Sequence, residues 1–161
     1  MIRPFITCTL WFGAIGCGLL AGVYFAFSAF IMTALGRIEQ VQGIAAMNSI
    51  NSTILGSLFM PFFYGTTLAS LILAISGFVH RDEPGAMATV AGGAIYVAGM
   101  FLCTIVFNVP LNNALAAVDP ASEAAASVWA RYLGDWTFWN HVRTISSTVS
   151  SALYIAAIAA R

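Results

Sequence analysis

A few side chains able to hold or move charge sit inside long apolar runs. Asn108 and Asn112 belong to the string Phe107-Asn108-Val109-Pro110-Leu111-Asn112. Asn140, His141 and Arg143 belong to Trp136-Thr137-Phe138-Trp139-Asn140-His141-Val142-Arg143. Arginine brings a fixed positive charge and a planar fork of N–H donors. Asparagine amides add donors that need no ionisation. His141 is the side chain of this set whose ordinary pKa suits a base near neutral pH. Trp136, Trp139 and Tyr132 offer flat faces on which an aromatic ligand can stack, and Asn51 adds a further amide. Polar groups at membrane depth are costly, so their presence points first to function.

Their spacing gives the groups direction. Asn108 and Asn112 are four residues apart and share a helix face. Pro110 between them cannot donate to the Val106 carbonyl and clashes with it, so the helix is expected to kink or end there. Trp136, Asn140 and Arg143 fall on one narrow face, whereas His141 lies about 160° from Arg143 on a regular helix. Arg143 is expected inside the bundle, hydrogen-bonded to Asn108 or Asn112 at matched depth. Blander roles stay open at this point: Asn side chains capping a helix end, tryptophans in an interfacial belt, and Arg143 reaching out to the headgroups.

The elements that must position these groups follow from composition. The chain has 161 residues, 60% of them apolar and only 7% charged, with six Arg, six acids and no Lys. Ordinary globular chains carry about 25% charged residues. Too few charges remain to keep a surface in water, so lipid is the solvent, and no basic stripe exists for nucleic acid. Uncharged runs predict four membrane-spanning helices at about 5–35, 54–79, 86–109 and 139–160, since a crossing takes about 20 residues. The first run is too long for a signal-peptide core and reads as a retained span. Within it Gly18 and Gly22 form a small-xxx-small pair that suits close helix packing. The fold class is all-α: a single-domain, integral membrane four-helix bundle, with short capping helices on the side opposite the termini. One such helix is expected from Asp119 as N-cap, with Pro120 at its first position and Glu123 in its first turn. It would carry Val128, Trp129 and Tyr132 as an apolar stripe and end at Gly134.

Four spans place both termini on one side, with Arg3, Arg81 and Arg161. The other side holds Arg37, Arg131 and Arg143. This tie leaves orientation undecided by the positive-inside rule unless Arg37 and Arg143 are held for function, which would put the termini inside. The expected location is a membrane, multi-pass, the plasma or inner membrane if the source is bacterial. Cys8, Cys17 and Cys103 form no C-x-x-C pair and read as small packing residues. His80 and His141 fall on opposite sides, which excludes bis-histidine haem ligation within the chain. No metal site and no cofactor are expected.

The strings Ala21-Gly22-Val23-Tyr24-Phe25-Ala26-Phe27-Ser28, Met47 to Asn51, Phe107 to Asn112 and Trp136 to Arg143 resemble motifs of the anthrone-oxygenase-like family of small four-helix membrane proteins. The resemblance spans roughly Gly16 to Arg161, and its most specific strings are Asn-Val-Pro-Leu-Asn and Trp-Asn-His-Val-Arg. It implies oxidation of anthrones to anthraquinones by molecular oxygen, without metal or flavin, for some members only. Asn108, Asn112, Asn140, His141 and Arg143 match the family motifs and are carried over as candidate catalytic residues. Trp136, Trp139, Tyr132 and Asn51 are candidate substrate-binding residues. An anthrone has an acidified C–H opposite its ketone. Such a reaction needs a base, donors for the enolate oxygen and a flat apolar slot reached sideways from lipid. Three readings stand: a cofactor-independent oxygenase acting on a lipophilic aromatic; a non-enzymatic membrane protein holding a lipid, quinone or partner helix in a polar pocket; and, last, a small transporter, disfavoured because four short spans show no inverted repeat. The partners expected are the lipid bilayer, a lipophilic small molecule and molecular oxygen, with a homo-oligomer left open.

Overall fold

The computed structural model describes residues 2–161, and side chains from Pro4 onward. Arg3, counted above on the side of the termini, lies outside the described side chains. Four helices are long and apolar enough to cross a membrane: α1 (Pro4–Leu35), α3 (Phe59–Val79), α4 (Ala86–Ala117) and α5 (Glu123–Ala159). A fifth, α2 (Gln40–Leu55), links the first two. The chain is thus all-α, with the four long helices of the expected bundle. They pack in a ring, with α1 against α3 and α5, and α4 against α3 and α5.

Buried positions recur at alternating steps of three and four, the seam of antiparallel bundle packing. On α1 they are Ile6, Leu10, Gly13, Cys17, Leu20 and Tyr24. On α3 they are Phe63, Thr66, Ser70, Leu73 and Gly77. The seam of α5 is different in kind: Trp136, Asn140, Arg143, Ser147, Ser150, Tyr154 and Ala157 are all buried, and most are polar. Close approach is set by glycines other than those the sequence suggested. A Cβ on Gly13 would stand 3.1 Å from the Tyr154 ring, and one on Gly93 would stand 2.8 Å from the Ala74 side chain. Gly22 has nothing within 4 Å, and Gly18 meets only Ser151 Oγ at 3.5 Å. Gly18 therefore only reaches ordinary contact distance from α5 and Gly22 none, so the small-xxx-small pair does not set the closest approach between helices of this chain. It lies on a shallow outer groove with Thr148, Ser151 and Ala152.

The capping layer is also built differently from the expectation. Only α2 is a separate capping helix. The long helices α1, α4 and α5 have 32, 32 and 37 residues, about 48 to 55 Å at 1.5 Å per residue. They overshoot a hydrocarbon core of about 30 Å. Their projecting ends enclose a second apolar core with α2, made of Met32, Ile44, Met47, Leu115, Ala125, Trp129, Tyr132 and Trp136. The helix expected to end at Gly134 instead runs on into α5. Its start is later than expected: Ser122 is the N-cap, and Asp119 Oδ1 accepts the Ala121 N–H at 3.0 Å in a preceding turn. Glu123 does lie in the first turn, where its charge favours the exposed N–H groups. Helix α3 begins at Phe59, after the break at Gly56, rather than at residue 54.

Pro110 neither ends nor breaks α4. The helix widens just before it, in a π-helical turn over Thr104–Asn108 that closes with the Val109 N–H on the Thr104 carbonyl. An i→i+5 register passes over the position at which Pro110 lacks a donor, so the chain keeps its axis. Similar turns occur at Phe27–Ile31 in α1, Val97–Leu102 in α4 and Tyr132–Trp136 in α5. Such turns appear often at functional sites, and here they gather around the junction between the bundle core and the cap.

Candidate functional site

The π turns decide which residues of α4 face inward. Met100, Thr104, Asn108 and Asn112 are spaced by four. On a regular helix three such steps would rotate the face by about 120°. The wider turns absorb that drift, so Thr104 and Asn112 both line one cavity and Asn108 is buried beside it, 1% exposed. The cavity encloses about 220 Å³ and lies between the bundle core and the cap. An apolar cavity of about 150 Å³ already admits benzene, so this one has room for more than a single ring.

All five helices contribute to its wall. Tyr24 and Phe27 come from α1, Met47 and Asn51 from α2, and Phe59 and Phe63 from α3. Thr104 and Asn112 come from α4, and Trp136 and Arg143 from α5. The wall is mainly apolar with a few polar groups set in it, the usual layout of a small-molecule site, and it is closed where Tyr24, Trp136 and Arg143, each 5% exposed or less, meet.

Arg143 is the centre of that closed end. It is 5% exposed, so it does not reach the headgroups. Its guanidinium lies over two aromatic rings, 4.5 Å from the centroid of Tyr24 and 4.9 Å from that of Trp136. Each contact favours the cation, more so when water is excluded. One terminal nitrogen donates to Asn140 Oδ1 at 2.8 Å. Asn140, fully buried, donates in turn to the Tyr24 carbonyl at 2.7 Å and to Ser28 Oγ at 2.8 Å. Asn140 thus stands behind the arginine and fastens α5 to the widened part of α1. Arg143 Nε and Trp136 Nε1 are buried donors without a hydrogen-bond partner among the described residues.

The expected bond from Arg143 to Asn108 or Asn112 is not present; the two amides serve separate networks. Asn108 Nδ2 donates to the Trp136 carbonyl at 3.2 Å and so ties α4 to the π turn of α5. Asn112 Oδ1 accepts from the Tyr132 hydroxyl at 2.8 Å, and that hydroxyl accepts from Asn51 Nδ2 at 3.3 Å. Asn51 and Asn112 line the cavity, while Tyr132 joins them from behind. The Tyr132 ring also stacks between Trp129 and Trp136, at centroid distances of 5.8 and 5.7 Å.

Two candidates fall away from this centre. His141 is exposed on the outer face of α5, as its angle from Arg143 required, and does not line the cavity. Trp139 stacks on Phe107 at 3.6 Å with the rings nearly parallel, outside the cavity wall. Residues the spacing arguments passed over include Tyr24, Phe59, Phe63 and Thr104. Tyr24 was legible as the last member of the α1 seam. The inward turn of Thr104 was not, because it depends on the π register. No group of three or more His, Cys, Asp or Glu gathers anywhere among the described residues.

No curated protein and no solved structure matches the chain. The family described as Anthrone oxygenase matches residues 51–153. That stretch is more than half of the chain and contains α3, α4 and most of α5, including both cavity donors, Trp136 and Arg143. Helix α1, with Tyr24 and Ser28, lies outside it. By this match over the polar wall of the cavity, the chain belongs to the anthrone oxygenase family.

Proposed function

We propose that the chain is an oxygenase for a lipophilic, planar aromatic ketone of the anthrone type, with Arg143 as the oxyanion donor. The observation that carries this reading is a buried guanidinium in the wall of a mainly apolar cavity, whose Nε–H has no partner among the described residues, beside Trp136, whose buried Nε1–H has none either. Buried donors of this kind cost free energy until an acceptor arrives. A ketone oxygen is such an acceptor, and an enolate oxygen is a better one, which is the differential binding that lowers a barrier.

The reaction balances with oxygen alone. A ring CH2 loses a proton to water, since no histidine or carboxylate lines the cavity, and its electron pair spreads onto the carbonyl oxygen facing Arg143. Transfer of electrons to O2 and C–O bond formation give a peroxide anion at that carbon, which takes a proton back from water to become the hydroperoxide. Loss of water then leaves a second ketone, so CH2 plus O2 becomes C=O plus H2O. Asn51 and Asn112 supply further polar anchors in the wall, held from behind by Tyr132, and Trp136 and Phe63 are among its aromatic members.

A second reading has its own support. No histidine or carboxylate lines the cavity, and a site without a base suits reversible binding of a quinone. Purified protein in vesicles, given anthrone in an oxygen electrode cell, separates the two. The oxygenase reading requires one O2 consumed per anthraquinone formed, faster than with Arg143→Ala. Uptake equal to that of empty vesicles, with anthraquinone still bound by the protein, supports the second reading and removes the first.

A further inference from the structure

We infer that the cavity is loaded from within the bilayer, through a portal between α3 and α4 at which Tyr64 is the limiting side chain. The inference rests on the ligand-binding reading of the cavity above and adds its route and its selecting residue.

Five residues of the cavity wall are themselves exposed on the outside of the protein: Val23, Leu55, Tyr64, Ile105 and Val109. None is charged. Tyr64 is 58% exposed and Ile105 47%. Counted from the termini-side ends of their helices, Val79 and Ala86, they lie about 23 and 29 Å in, within a hydrocarbon core of about 30 Å, so what they meet outside is hydrocarbon near its cap-side edge. Arg143 and Trp136 are the buried donors of the wall, 5% and 4% exposed, whereas Asn51 and Asn112 are half-buried, one turn from Leu55 and Val109. The cavity therefore has an uncharged rim and keeps its one charged donor where the wall is most buried.

The framework explains why an opening exists there. Helix α3 packs on the first part of α4, where Gly93 meets Ser70 and Ala74. Toward the cap, the π turns of α4 turn Thr104 into the cavity and leave Ile105 and Val109 on its rim. The Tyr64 ring is held edge-on against Phe63 at 5.3 Å but has no hydrogen-bond partner among the described residues. It can swing without breaking a polar contact. A molecule dissolved in lipid, with an apolar body and one carbonyl or phenolate oxygen, can slide in body-last. Its oxygen would then reach Arg143 Nε and Trp136 Nε1 without either partner crossing water. A water-soluble anion meets no charged vestibule on this path.

The test uses full-length protein in phosphatidylcholine vesicles and 1,8-dihydroxyanthraquinone, a coloured planar ketone, as probe. Binding is followed by quenching of tryptophan fluorescence in a stopped-flow cell, because Trp136 is in the cavity wall. Ile105→Trp narrows the rim, and Tyr64→Ala widens it. Ile145→Trp places the same bulk on a lipid-facing site away from the cavity. The expected result is an association rate about tenfold slower for Ile105→Trp and severalfold faster for Tyr64→Ala, since access steps act on the on-rate. The Ile145→Trp variant should match wild type. Arg143→Ala should instead weaken equilibrium binding. Wild-type binding with on-rates unmoved by the rim variants overturns the portal and leaves the site standing. Absence of binding to wild type overturns the site, and the portal with it.

Discussion

Arg143→Ala and His141→Ala make a decisive pair, because both replace a basic side chain within one turn of α5 and only one of them faces the cavity. For Arg143, the loss has two parts. Removing an oxyanion donor from a dry site commonly costs about 2.7–4 kcal/mol of transition-state stabilisation, a factor of roughly 100 to 1000 in kcat. The truncation also leaves Asn140 Oδ1 without its donor and removes the cation from between the Tyr24 and Trp136 rings. An orphaned buried acceptor costs about 1–3 kcal/mol of stability. Asn140 still holds the Tyr24 carbonyl and Ser28, so the fold should survive. His141 is exposed, and an exposed substitution typically moves stability by no more than about 0.5 kcal/mol. It also lies outside the cavity wall, so His141→Ala should leave turnover close to that of wild type. General-base catalysis is worth about 100- to 10,000-fold, so magnitude alone does not assign the roles and position must. Anthraquinone formation would be followed by absorbance in vesicles, with insertion and thermal unfolding checked for each variant. If His141→Ala abolished turnover while Arg143→Ala kept most of it, the regular course of α5 past Asn140 would be wrong and Arg143 would lose its role.

Tyr132→Phe should lower the unfolding temperature in detergent, because the hydroxyl joins Asn51 to Asn112 across the cap. The cost expected is about 1–3 kcal/mol for two amides left short of a partner; an unchanged unfolding temperature would show that the bridge holds nothing. Gly93→Ala should fail to fold or should unfold at much lower temperature, since its Cβ would stand 2.8 Å from the Ala74 side chain, whereas Gly22→Ala, with open space around it, should be neutral. Equal effects of the two would contradict the packing of α3 on α4. Reporter fusions at the two ends should report the same compartment. With Arg143 buried in the bundle rather than flanking it, the remaining arginines favour the cytoplasmic side for both termini; reporters in opposite compartments would sink the topology.

The long helices were legible because each carries an uncharged run longer than a bilayer crossing requires. The face shared by Trp136, Asn140 and Arg143 was legible because α5 stays regular there, and the same arithmetic put His141 outside. What failed was local. The Pro110 argument assumed α-helical register, and a π turn removed the conflict instead of a kink. Gly134 was read as a stop, yet the widened turn of α5 carries the helix through it. Pairing Arg143 with Asn108 by depth ignored rotation about the helix axis: Asn108 is turned toward the Trp136 carbonyl. The glycine pair was chosen by spacing, although close contact depends on what the facing helix presents, and that is not written in the α1 sequence. The Asn51–Tyr132–Asn112 bridge joins three stretches far apart in the chain, so no local pattern could announce it.

The polar seam of α5 has a consequence for how the protein is made. Its best stretch has a mean hydropathy of 1.2, against 2.0, 1.8 and 2.1 for α1, α3 and α4. An arginine at the centre of a lone spanning helix costs about 2.5–3.5 kcal/mol on insertion scales, and one nearer the end, as Arg143 is, costs less; Asn140, Ser147 and Ser150 add to it. Released from the ribosome as the last of the four, α5 partitions poorly on its own. Its polar face becomes acceptable once α1 already stands in the bilayer, with the Tyr24 carbonyl and Ser28 presented to Asn140. Integration is then ordered: three self-sufficient helices settle first, and the helix that carries Asn140 and Arg143 is admitted last, as a guest of the other three.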